Sequence, residues 1–173
     1  MIKIKTSFLI VFCLTTQINL FALNTNSLTE TTPDENTENQ LFNFGTQSKN
    51  KKGIVINNPL TYNPATGYGF DINSASNVKI NPNTFSATKP TYFSIKLPEG
   101  NYQIEVVMGS TERQSNITIK AESRRLMLDQ LSIKKGKPVT KVFNVNVRTP
   151  KIDDNQNVSL KDREKDIFNW DDK

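Results

Sequence analysis

The stretch "YFSIKLPEGNYQIEVVMG", residues 92–109, decides the fold class. Phe93, Ile95 and Leu97 alternate with Tyr92, Ser94 and Lys96, the two-residue period of a strand that buries one face. After "PEG" at 98–100, whose proline and glycine mark a tight turn, Tyr102, Ile104, Val106 and Met108 repeat that period. Two alternating runs around a short turn predict a β-hairpin.

The same pattern extends towards the C-terminus. "NITIKAE" (116–122) sets Ile117, Ile119 and Ala121 on one face, and "RLMLDQLSI" (125–133) follows. After the "KKGKP" turn, "VTKVFNVNVR" (139–148) places Val139, Phe143, Val145 and Val147 together. Turn signals recur about every ten residues, and no ten-residue stretch holds a helical apolar stripe. The expected architecture is all-β, an antiparallel β-sandwich with one face of each sheet inward. Residues 53–90 are less regular. "NNPLTYNPATGYGFD" (57–71) is rich in turn residues and predicts ordered loops with short strands, where sandwich folds keep binding sites.

The first 22 residues read as a separate object. Lys3 and Lys5 precede the apolar run "SFLIVFCLTTQINLFA" (7–22), and Ala22 is a plausible cleavage point. That is the composition of a secretory signal peptide, too short and wrongly flanked for a membrane span. Export to the periplasm or the outside follows, with no membrane association after cleavage. Cys13, preceded by the bulky Phe12, does not suit lipidation and is the only cysteine in the chain. Residues 23–40 are polar and predict a flexible linker. The folded domain is expected over 41–173, beginning at "LFNFG".

Lys3 and Lys5 leave with the leader and none of the 17 acidic residues does, so the formal charge falls from +5 to +3. That mild balance gives no nucleic-acid signal. The chain has no histidine, which removes the usual general base, the Ser-His pair and the commonest metal ligand. It also has no G-x-S-x-G elbow, GDS block, P-loop or G-x-G-x-x-G. No catalytic residue, metal or cofactor is expected.

Three stretches are candidates for binding. In "GYGFD" (67–71), Tyr68 and Phe70 are candidates to stack on a sugar ring, with Asp71 accepting from hydroxyls; the plainer reading is a bent strand with one aromatic buried and one exposed. In "AESRRL" (121–126), Arg125 suits a uronate, with an internal pair to Glu122 as the commoner outcome for such a spacing. In "VSLKDREKDIFNWDDK" (158–173), Trp170 is either a sugar platform or a core residue, and Asp171 and Asp172 alone are a weak calcium signal.

Six blocks in order, "FNFG", "GYGFD", "FSIKLPEGNYQIEVVMG", "AESRRLML", "FNVNVRTP" and "LKDREKDIFNWDDK", span about 42–173. Together they resemble the N-terminal galactose-binding-like domain of bacterial rhamnogalacturonan acetylesterases, also found in some β-agarases. The resemblance implies a non-catalytic jelly-roll sandwich beside a separate SGNH esterase domain, none of whose motifs is present here. It also implies a further apolar strand after the acidic pair, so that the chain reads as a sandwich lacking its last strand and as a fragment of such an esterase. The partners implied are pectic polysaccharide or an esterase catalytic domain.

Overall fold

The fold was taken from a computed structural model, which describes residues 7–13, 19–24, 40–47, 53–122, 125–149 and 151–158, the first two segments by their main chain alone. The described residues form twelve strands and one 3-10 turn, Ser74–Asn77. The all-β expectation holds.

Two five-stranded sheets make up the body. The first runs β11(Arg125–Ile133), β10(Ser115–Ala121), β1(Ser7–Cys13), β8(Thr91–Lys96), β5(Tyr68–Asp71). The second runs β12(Val139–Val147), β9(Gly100–Met108), β2(Asn19–Asn24), β3(Gln40–Phe44), β4(Ile54–Ile56). A small hairpin, β6(Val78–Ile80) with β7(Phe85–Ala87), stands apart from both sheets. All pairings are antiparallel except β3 with β4, which is parallel.

Period-two burial on β9 and β10 turns one face of each sheet inward. On β9, Tyr102, Ile104, Val106 and Met108 are buried while the residues between them are half-buried. On β10, Ile117, Ile119 and Ala121 are fully buried. Rings from both sheets meet in the middle: Phe42 and Phe44 of β3 lie 5.4 Å and 5.1 Å from Phe93 of β8, both edge-on. Phe70 and Phe85 complete the cluster. Burying each such ring contributes roughly 1.5–3 kcal/mol, and edge-to-face contact about 0.5–1.5 kcal/mol beyond the area term.

The expected hairpin over 92–109 does not form. β8 belongs to the first sheet and β9 to the second, so residues 97–99 carry the chain across the core. Alternation is blind to this difference, because each strand shows one apolar face whether the pair folds flat or arches over. The crossover has its own supports. Leu97 is buried within it, Pro98 offers no N–H to a ladder, and the Tyr102 hydroxyl donates to the Pro98 carbonyl at 2.9 Å.

Residues 53–90 form short strands and ordered loops, as expected. β1 and most of β2 come from the stretch that reads as an export leader, and each lies in the middle of its sheet. β10 and β11 pair through a bulge near Ile117–Ile119, where Gln130 takes a positive φ and its N–H donates to the Thr118 hydroxyl at 3.1 Å.

Candidate functional site

The residues singled out in the sequence do not converge. Phe70 is fully buried, with the rings of Phe44, Phe85 and Phe93 at 5.1–6.1 Å, so it offers no surface to a sugar. That corrects its reading as a stacking platform. Inward alternation on β5 assigns it to the core. Tyr68, two residues earlier on the same face, is half-buried and packs edge-on against Phe42 at 5.3 Å. Gly69 between them permits a φ of 147°. The bent-strand reading of "GYGFD" thus describes the backbone, except that neither ring stands clear of the core.

Asp71 is likewise engaged inside. Its Oδ2 accepts from the Ser94 hydroxyl at 3.0 Å and its Oδ1 from the Ile72 N–H at 2.7 Å. Ser74 donates to the Asp71 carbonyl and accepts from the Tyr92 N–H. This network holds Ile72 and Asn73 at positive φ and fixes the exit from β5. Asp71 is therefore a structural acceptor and not a ligand group.

Arg125 lies on β11, the opposite edge of the sheet from Tyr68 on β5. Four strand spacings separate those edges, about 19 Å, so no single sugar ring touches both. Arg125 donates to Glu122 at 3.1 Å, the internal pair that the sequence also allowed. The same carboxylate accepts the Asn146 N–H of β12 at 2.7 Å, tying the corner of one sheet to the edge of the other. Arg124 and Trp170 lie outside the described residues.

A different cluster forms a cleft at one end of the molecule, between the β6–β7 turn and the β9–β10 loop. Asn81, Asn83, Thr84, Ser110, Glu112 and Arg113 are among its lining, and its volume is about 100 Å³. Both walls are held from below. Asn81 donates through its side chain to Thr84 and Ser86, each at 3.2 Å. The Thr46 and Gln47 N–H groups donate to the Asn81 and Pro82 carbonyls. Gly45 makes that approach possible, since a Cβ there would sit 2.5 Å from the Pro82 oxygen. In the facing loop Ser110 accepts the Glu112 N–H at 3.1 Å, and its carbonyl accepts the Gly136 N–H at 2.8 Å.

The charged side chains at the rim are uncommitted. Among the described residues, neither the Glu112 carboxylate nor the Arg113 guanidinium makes a hydrogen bond or ion pair. A carboxylate that accepts, a guanidinium that donates, and amides and hydroxyls that do both match vicinal diols better than any apolar ligand. No aromatic ring lines the cleft. Enclosing pockets usually measure about 300–1,000 Å³, so this one grips the edge of a ligand and does not engulf it. Sequence reading missed it because Asn, Ser and Thr in loops carry no motif.

Among the described residues no three His, Cys, Asp or Glu side chains converge to hold a metal ion. The chain is thus defined as an all-β protein with a shallow polar cleft at one loop end. Neither family models, nor curated proteins, nor solved structures match it.

Proposed function

We propose that the protein is an exported, non-catalytic carbohydrate-binding module of the kind that precedes the catalytic domain in rhamnogalacturonan acetylesterases. The observation that carries this reading is the pairing of an uncommitted carboxylate and an uncommitted guanidinium, Glu112 and Arg113, with the amide and hydroxyl side chains of the β6–β7 turn. The ligand is a pectic polysaccharide held by its hydroxyls at the cleft. The resemblance over residues 42–173 supports the substrate class, and the leader-like N-terminus supports export.

Amide NMR during titration with rhamnogalacturonan oligosaccharides tests it. Shifts are expected at Asn81–Thr84 and Ser110–Arg113, and Arg113→Ala weakens binding roughly 10- to 100-fold, the value of a charge-assisted hydrogen bond. No shift at millimolar oligosaccharide would sink the proposal.

A second reading has its own support. Leu126 on β11 and Val142 on β12 are both about half exposed on edge strands. Apolar side chains at two edges suit a structural domain that packs against an esterase catalytic domain with no sugar of its own. In that case shifts appear at β11 and β12 on adding the catalytic domain, and none appear on adding sugar.

A further inference from the structure

The run Ser7–Cys13 carries two assignments that compete. Its composition, with Lys3 and Lys5 before it and Ala22 after it, is that of a leader removed on export. Its main chain is the central strand of the first sheet, antiparallel to β8 on one side and to β10 on the other. A cut after Ala22 removes β1 whole and takes with it Asn19–Ala22 of β2, every β2 residue that pairs with β3, leaving only Leu23 and Asn24 opposite Gln103 and Tyr102. The first sheet then holds two facing edges, β8 still paired to β5 and β10 still paired to β11, two strand spacings or about 9.6 Å apart. On the two bordering strands Phe93, Ile95, Ile117 and Ile119 are all essentially buried when β1 is present. Unpaired N–H and C=O rows over an apolar floor are the conditions under which a sheet captures another strand.

We propose that the space between β8 and β10 is a strand-acceptor slot, filled in the exported protein by an extended apolar segment of a partner polypeptide. The proposal rests on the leader reading. The register specifies the occupant. It runs antiparallel to both neighbours for about seven residues, the length of β1. Its positions in register with the buried Ile95, Phe93 and Thr91, those held by Phe8, Ile10 and Phe12 in β1, call for large apolar residues. Its outer positions correspond to Ser7 and Val11, opposite Lys96 and Lys120, and favour acidic residues there.

The test begins with the full chain produced in a secreting bacterium and sequenced from its N-terminus. A start at Leu23 is expected; a start at Met1 means β1 keeps the slot permanently and overturns the proposal together with the leader reading. Sugar titration, which reads the cleft, is unaffected by either result. The processed protein is then mixed with a synthetic peptide spanning Ser7–Cys13, with Cys13→Ser and flanking glutamates, and followed by hydrogen exchange and melting. The peptide slows exchange at Thr91–Lys96 and Ser115–Ala121 about 100-fold and raises Tm by about 5–10 °C at a hundredfold excess over its Kd. A control peptide with Asn at the positions of Phe8, Ile10 and Phe12 does neither. Full protection of both strands without peptide, or equal effects of the two peptides, overturns the slot.

If the processed protein aggregates, the full chain is made without export, carrying a protease site within residues 25–39, and is cut there. A labelled copy of the peptide then displaces the N-terminal piece. Failure to compete, or loss of that piece with β8 and β10 still protected, overturns the proposal.

Discussion

Glycine positions show how finely single residues constrain this chain. A Cβ on Gly69 would lie 2.6 Å from the Tyr62 Cα and N, both backbone atoms that cannot swing aside. Gly136 has nothing within 4 Å and only a left-handed φ of 70° to satisfy. Gly69→Ala should therefore cost well over 2 kcal/mol, and Gly136→Ala about 1–2 kcal/mol from backbone strain alone. Paired denaturant melts read the contrast, and equal costs would contradict the close packing of β5 on the 61–62 segment. Phe93→Ala removes the ring that touches Phe42, Phe44 and Phe70, and is expected to cost about 3–5 kcal/mol. Much at this scale was legible. Alternation named Phe93, Ile95, Ile104, Val106, Ile117 and Val145 as inward, and all are buried. It also hinted at the fate of Phe70, which shares its face with Tyr68. What alternation could not supply was the partner of a polar group. Arg125 with Glu122, and Asp71 with Ser94, are set by turns and register, which a one-dimensional pattern does not carry.

Between elements, the crossover at 97–99 and the end of β12 are locked by polar contacts. Glu99 accepts from the Thr149 N–H, and Arg148 donates to the Gly100 carbonyl at 3.0 Å and to Asn101 at 2.9 Å. Hydrogen bonding from Thr149 is the main reason the Glu99 carboxyl titrates below its ordinary value, with a smaller contribution from Arg148. A carboxyl depressed in the folded state adds stability at pH above its ordinary value and loses it as pH falls through the folded value. The end of β12 should accordingly loosen below about pH 4, an effect kept small because Glu99 is solvated. The Thr149 amide shift followed against pH reports it directly, and Glu99→Gln should flatten that titration while leaving the amide shifts at the cleft unchanged. Sequence periodicity found β8, β9, β10 and β12 but joined the first two wrongly. A turn of three residues reads alike whether its flanking strands pair or part, and only the apolar content of Leu97 distinguishes the cases.

For the whole molecule, the class of fold followed from one physical fact, that each run has a single apolar face and needs a second sheet to cover it. Strand order did not follow, because several neighbours in these sheets are remote in sequence: β9 lies between β2 and β12, and β8 between β1 and β5. Long edges are the exposed liability of this arrangement. Val142 stands on β12 opposite Glu105, about half exposed. Val142→Lys should place a cation across from that carboxylate, leave stability within about 0.5 kcal/mol of the parent, and reduce self-association measured by light scattering. Unchanged association would show that β12 is not the sticky edge.

The crossover has a consequence in time as well as in space. Because 97–99 sends adjacent strands to different layers, β9 pairs with β2, far before it, and with β12, some thirty positions after it, while β8 finds β5 across a long irregular stretch. Among the described residues, β6–β7 and β10–β11 close through short turns, and β2–β3 and β3–β4 through longer connections. Such wiring places folding in the millisecond-to-second range, late and nearly all at once. A chain wired this way keeps its sheets open until strands far apart in sequence have met.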